Sequence, residues 1–153
     1  MYSQHHRILI ASDDPLGTQV LEYMHAHLGF SVDPVQSTEE ALQRLQAERY
    51  GLLYVDLYQP PTAGRLLIHT VRNGGCGGHH QRMPIIIVAE YPGDLRCTEQ
   101  LKADSTAVLG KPVYLDQLKQ LLATFIGELP CRQKRSTVMR GTTGQADHMT
   151  AAL

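Results

Sequence analysis

Four side chains combine types and positions that could do chemistry together. Asp13 and Asp14 close the segment 8–14 (ILIASDD), Asp56 closes 52–56 (LLYVD), and Lys111 follows 107–110 (AVLG). Each follows a short apolar run, so parallel pairing of those runs would gather all four at one sheet edge. Three carboxylates this close repel one another unless a cation or a proton intervenes. Mg2+ suits them, because it is a hard ion that takes carboxylates, a carbonyl and water. Lys111 adds fixed positive charge opposite the metal. Together the two cations could neutralise the equatorial oxygens of a phosphoryl group in transit. Asp56 is then the carboxylate nucleophile that forms an acyl phosphate.

The elements that must position these groups read out in chain order. Residues 8–11 form an unbroken apolar run, as expected of a strand covered by helices on both faces. Leu16, Val20, Met24 and Leu28 recur every four residues and predict the apolar face of a first helix, stopped at Gly29. Residues 31–35 (SVDPV) are a weaker strand, and Pro34 favours the edge of a sheet. Ser37 and Glu40 are spaced for a capping box at the start of a second helix, with Ala41, Leu42 and Leu45 facing inward. Leu66, Leu67 and Val71 mark a third helix, and 73–83 are too glycine-rich for a packed one. Residues 85–88 (IIIV) are the clearest central strand, 95–102 a weak helix and 107–109 a last strand. Leu115, Leu118, Leu121, Leu122, Phe125 and Ile126 give a final amphipathic helix. This alternation predicts an α/β fold with a doubly wound, five-stranded parallel sheet.

Composition narrows the function classes. At 153 residues, with 42% hydrophobic and 19% charged, the chain can bury the core of one domain and is not disordered. A net charge of -1 gives no global attraction to nucleic acid or to an anionic membrane. Cys76, Cys97 and Cys131 form neither a CxxC pair nor a disulfide framework, which points to a reducing compartment. No apolar run approaches the length of a membrane span, and the apolar start is broken by two aspartates, unlike a secretion signal. The expected location is the cytoplasm. Residues 130–153 lack an apolar period and carry Arg132, Lys134, Arg135 and Arg140 against Asp147 alone. They read as a flexible basic tail after a domain at 1–129. Nothing in the tail specifies nucleic acid or membrane binding.

The ordered set SDDP at 12–15, VDLYQPPTAG at 55–64, PIIIVAE at 84–90 and GKPV at 110–113 resembles the receiver domain of two-component response regulators. The resemblance implies a flavodoxin-like, CheY-like three-layer sandwich with Asp56 as phosphoacceptor. It implies that Asp14 holds Mg2+ directly and Asp13 through water, with the main-chain carbonyl of Tyr58 a further ligand beside Asp56. Lys111, followed by Pro112, would contact the incoming phosphoryl group. The phosphate would come from a histidine kinase or phosphotransfer protein. The output would be binding to a downstream protein, with a homodimer as one form of it.

Two positions depart from the family pattern. Ala89 stands where Thr or Ser usually follows the fourth strand, and Val108 stands where an aromatic switch residue is usual. Acceptor and metal chemistry are then intact, while the hydroxyl–aromatic switch is broken. Tyr58 and Tyr91 flank the expected pocket, either as bulky rings that exclude water and prolong an acyl phosphate or as ordinary half-exposed tyrosines. The first reading is a stand-alone receiver phosphorylated on Asp56, whose only catalysis is Mg2+-dependent self-phosphorylation from a phosphodonor. The alternative is a non-phosphorylated, receiver-like adaptor or dimerisation module. No separate water-activating base marks a phosphatase. Among the remaining histidines, His79 and His80 with Cys76 read as a polar surface loop. His25 and His27 do not share a helix face, and His5 and His6 belong to a loose N-terminus.

Overall fold

The computed structural model describes residues 7–57, 60, 62–90 and 104–127. Along the chain these form β1 (Arg7–Ser12), α1 (Pro15–His27), β2 (Ser31–Val35), α2 (Thr38–Ala47) and β3 (Leu52–Asp56). They continue with α3 (Ala63–Arg72), a 3-10 turn at Gly78–His80, β4 (Ile85–Ala89), β5 (Ala107–Gly110) and α4 (Leu115–Phe125). The five strands form one parallel sheet in the order β2-β1-β3-β4-β5, as the βα alternation predicts. Pro34 sits in an edge strand, as its missing N–H favours. No described helix is long and apolar enough to cross a membrane. The expected helix at 95–102, Tyr58, Tyr91 and the segment from 128 onwards lie outside the described residues.

Alternation along the strands divides the core into two layers. Leu9, Leu53, Val55, Ile85 and Ile87 face α2 and α3, meeting Ala41, Leu45, Leu67, Ile68 and Val71. Ile8, Ile10, Leu52, Tyr54, Ile86 and Val88 face α1 and α4, meeting Leu21, Leu118 and Leu122. Both faces of the central strands are thus dry, which is why they read as unbroken apolar runs. The Glu40 N–H donates to Ser37 Oγ at 3.2 Å, which is one half of the expected capping box.

Two readings of the sequence are corrected. Only the second half of the every-fourth-residue stripe on α1 faces the core: Leu28 is buried and Met24 packs against the sheet layer, but Leu16 is 72% and Val20 42% exposed, and Leu21 and His25 take the buried positions instead. A spacing of four overshoots the helical turn of 3.6, so the stripe drifts away from the sheet towards the start of the helix. The loop that carries His79 and His80 is exposed at His79 as expected, but Cys76 and His80 do not belong to its surface, because both are buried. Gly77, at φ 92, turns the chain back over the sheet in a region that side-chain-bearing residues avoid. His80 Nδ1–H then donates to Cys76 O at 3.1 Å, and His80 Nε2 accepts the Tyr50 N–H at 3.0 Å.

His25 is the other buried histidine, and it fills a core position. Its Nδ1–H donates to Leu21 O at 2.7 Å, so Nε2 is the acceptor for the Tyr54 hydroxyl at 2.9 Å. Burial lowers its pKa to about 4, against the weaker raising effect of Leu21 O. The folded-state pKa is depressed, so this contribution is full above the unfolded value of 6.5 and is lost as pH falls towards 4. Denaturant melts should show about 3 kcal/mol lost between pH 7 and pH 4 from this residue. The His25→Gln variant should be less stable at pH 7 yet flatter across that window, and an unchanged slope would assign the acid sensitivity elsewhere.

Candidate functional site

Strand register delivers the site. Ser12 pairs with Asp56 across β1 and β3, and Ala89 pairs with Gly110 across β4 and β5. The Asp13 N–H donates to Asp56 O at 3.2 Å, extending the β1–β3 contact past the last ladder pair. The Lys111 N–H donates to Ala89 O at 2.8 Å, and Lys111 is joined to Pro112 by a cis peptide bond. Asp14 is the N-cap residue of α1, with Pro15 in the first helical turn and Asp14 O accepting the Thr18 N–H at 3.0 Å. Beyond Asp56, Gly64 lets α3 close on β3. A Cβ there would lie 3.0 Å from Leu57 O and 3.1 Å from a Val55 methyl.

Lys111 is the hub of the acidic edge. Its Nζ lies 2.8 Å from Asp56 Oδ2, 3.2 Å from Asp14 Oδ2 and 3.7 Å from Glu90 Oε1. Asp56 is buried, Asp14 half-buried, and Asp13 and Glu90 exposed. Burial pushes the Asp56 carboxyl above the ordinary aspartate value, Lys111 pulls against it, and Asp13 and Asp14 reinforce it. Asp14 is held below its ordinary value by the Gly17 amide and by Lys111. A side chain at position 17 would meet Asp14 Oδ2 at 2.6 Å, so Gly17 leaves that carboxylate its place. Burial works against the Lys111 ammonium, but Asp56 and Asp14 outweigh it and raise its pKa.

The structure therefore brings Asp14, Asp56 and Lys111 into contact and leaves Asp13 at the rim. Among the described residues no three His, Cys, Asp or Glu side chains are disposed as a metal-ligand group. The donor chemistry nonetheless fits Mg2+: hard carboxylate oxygens crowd one edge, and Asp56 carries charge that a nearby cation would relieve. A groove of about 360 Å3 runs from Ser12 and Asp13 along Thr18 and Glu22 to Pro34 and Gln36, beside this cluster.

Ala89 is fully buried at the end of β4 and brings no hydroxyl, while Val108 packs against the α2–α3 layer. Sequence reasoning missed two groups. Glu90 follows a strand just as the other acids do, so the same rule would have found it. Ser12 Oγ lies 3.5 Å from Asp56 Oδ2, a contact visible only once the β1–β3 register is known.

Comparison with known proteins gives the family and the fold. The family described as response regulator receiver domain matches residues 8–123. The response regulator protein PilR of Pseudomonas aeruginosa is 25% identical over 120 residues, covering 78% of this chain and 26% of PilR. The transcriptional regulatory protein CitT of Bacillus subtilis is 28% identical over 134 residues, covering 86% of this chain and 54% of CitT. The chain thus spans about a quarter to a half of the length of these relatives. Among solved structures, the receiver domain of a Pseudomonas aeruginosa sensor histidine kinase is 25% identical, with a TM-score of 0.71. The match covers 80% of this chain and 98% of that one, which was crystallised with magnesium coordinated in its active-site cleft.

The electrostatics of the cluster predict a stability effect. Because the Asp56 pKa is raised on folding, its contribution is favourable below the unfolded value of 3.8 and is lost as pH rises through the folded value. In metal-free buffer at pH 7, Asp56→Asn should therefore raise Tm, by about 2–4 °C for each kcal/mol relieved. The gain should vanish by pH 3.5. A lower Tm at pH 7 would mean that the Lys111 pairing outweighs burial.

Proposed function

This chain belongs to the response regulator receiver domain family of two-component signalling, and on that premise we propose that it accepts a phosphoryl group on Asp56. The observation that carries the reading is the buried Asp56 carboxylate, 2.8 Å from Lys111 Nζ at the strand ends. An ionised Asp56 oxygen forms a bond to phosphorus as the bond between phosphorus and the donor breaks, and that electron pair leaves with the donor. Lys111 neutralises charge on the moving group and keeps it aligned with the carboxylate.

Asp13, Asp14, Asp56 and the Tyr58 carbonyl would hold Mg2+, with Asp13 acting through water. When bound, the ion supplies charge neutralisation to acceptor and phosphoryl oxygens. Tyr58 and Tyr91 would shield the product from water. The donor is a histidine kinase or phosphotransfer protein, and the output is contact with a downstream protein or a second copy of the chain. The working unit is residues 1–129 in the cytoplasm, followed by the basic tail at 130–153.

Ala89 weakens the coupling of phosphorylation to a shape change, because a hydrogen bond to an ionised oxygen is worth about 1.5–3 kcal/mol. Together with the apolar packing of Val108, this favours a second reading, a receiver-like adaptor that is not phosphorylated. A small phosphodonor with Mg2+ separates the two. The first reading expects the mass of one phosphoryl group on the wild-type chain and none on Asp56→Asn. No Mg2+-dependent adduct would favour the adaptor.

The switch itself gives a further expectation, read by amide NMR with an acyl-phosphate mimic. Shifts around Ala89 and Val108 should be small in the wild-type chain and larger in Ala89→Thr, with labelling retained in both. A large wild-type shift across β5 would refute the weakened coupling.

A further inference from the structure

Ser12 closes β1 as the register partner of Asp56 and is only 3% exposed. Its Oγ accepts the Asp14 N–H at 3.0 Å. The hydroxyl hydrogen then has two acceptors in reach, Asp14 O at 3.3 Å and Asp56 Oδ2 at 3.5 Å. Asp14 O is already engaged, receiving the Thr18 N–H at 3.0 Å and the Thr18 hydroxyl at 2.9 Å, which together use both of its lone pairs. A carboxylate is also the stronger acceptor. That leaves Asp56 Oδ2, at the outer limit of hydrogen-bond distance, as the stronger remaining acceptor for the Ser12 hydrogen.

Lys111 Nζ meets the same Oδ2 atom at 2.8 Å. One oxygen of Asp56 is held from two sides, by β1 through Ser12 and from the end of β5 through Lys111. Strand parity sets this up. Ser12 lies two residues beyond Ile10 and Asp56 two beyond Tyr54, so both continue the α1–α4 face, while Ala89 ends β4 with a methyl group. Resting on the acceptor role of Asp56, we infer that Ser12 is a positioning residue: with Lys111 it fixes Oδ2 and so orients the carboxylate that takes the phosphoryl group.

In the transfer, a carboxylate oxygen of Asp56 bonds to phosphorus while the bond from phosphorus to the donor breaks and the electron pair leaves with the donor. Asp56 enters ionised, so no proton passes to or from Ser12. The hydroxyl is neither nucleophile nor base. It removes rotational freedom from the carboxylate, so that one oxygen is presented in line with the incoming group.

The test compares Ser12→Ala, Ser12→Val and Ser12→Thr with wild type, each first checked for cooperative thermal unfolding. Val and Thr have the same shape, so they separate the hydroxyl from its packing. With acetyl phosphate and Mg2+, followed by intact mass over time, Ala and Val should slow labelling about two- to tenfold at saturating donor. The donor concentration for half-maximal rate should change little, and Thr should stay close to wild type. If Val fails to fold, the contrast between Ala and Thr decides. Equal rates in every chain, or equal slowing in Val and Thr, overturn the role of the hydroxyl while leaving Asp56 as acceptor. An unlabelled wild-type chain would instead overturn the acceptor reading and this inference with it.

Discussion

The contact between Lys111 and Asp56 is the constraint on which the rest of the site depends. A buried carboxylate beside two others is costly, and removing its cation would leave an uncompensated charge at the end of a dry sheet. The ammonium has to arrive from β5, whose register with β4 is extended by the Lys111 N–H to Ala89 O. The carboxylate has to arrive from β3, and the acid that shares the lysine comes from the turn after β1. Three strand ends must therefore be level with one another to within a hydrogen bond. A parallel sheet provides this, since its ladder fixes every strand end relative to its neighbours.

Below the charged edge the sheet is apolar on both faces, and that gives the site its rigidity. Tyr54, two residues before Asp56, is buried against α1, where its hydroxyl donates to His25 Nε2. Leu53 and Val55 point the other way, into the layer with α2 and α3. β3 is thus clamped by packing on one side and by packing plus a satisfied polar pair on the other. Close-packed interiors do not deform smoothly, so the Asp56 backbone moves with its strand.

Legibility in the sequence followed the physics of each element. β1, β3 and β4 could be read because strands buried on both faces have no polar alternation, and Asp56 could be read because an acid ending such a run stands out. The α1 face was misread because spacing alone does not say which stripe meets the sheet. His25, polar by type, occupies a core position that becomes acceptable only once Leu21 O and Tyr54 satisfy its ring. His80 and Cys76 looked like loop residues for the same reason, since the partner of His80, the Tyr50 N–H, is thirty residues away in sequence. Ser12 was passed over because a serine before two aspartates looks like an ordinary turn former. Its place beside Asp56 is a property of pairing, which no local pattern carries.

The polar contacts around Asp56 also determine where a change of charge there can be felt. On the β4 side stand Val88 and Ala89, both buried and without a polar side-chain atom, and Val108 on β5 is packed against an apolar layer. Among the described residues, neither Val88 nor Ala89 offers Asp56 a hydrogen-bonding side chain. Towards β1 the contacts are polar and continuous: Ser12 Oγ reaches Asp56 Oδ2 and the Asp14 amide, and Asp14 caps the helix that carries exposed Leu16, Val20 and Tyr23. Towards α4 the line runs through Lys111, which Asp14 and Glu90 share. Coulombic and hydrogen-bond terms act along such contacts, whereas an alanine methyl transmits only packing. Among the described elements, the start of α1 and the Lys111 turn are therefore joined to Asp56 by polar contacts, and β4 by packing and its ladder alone.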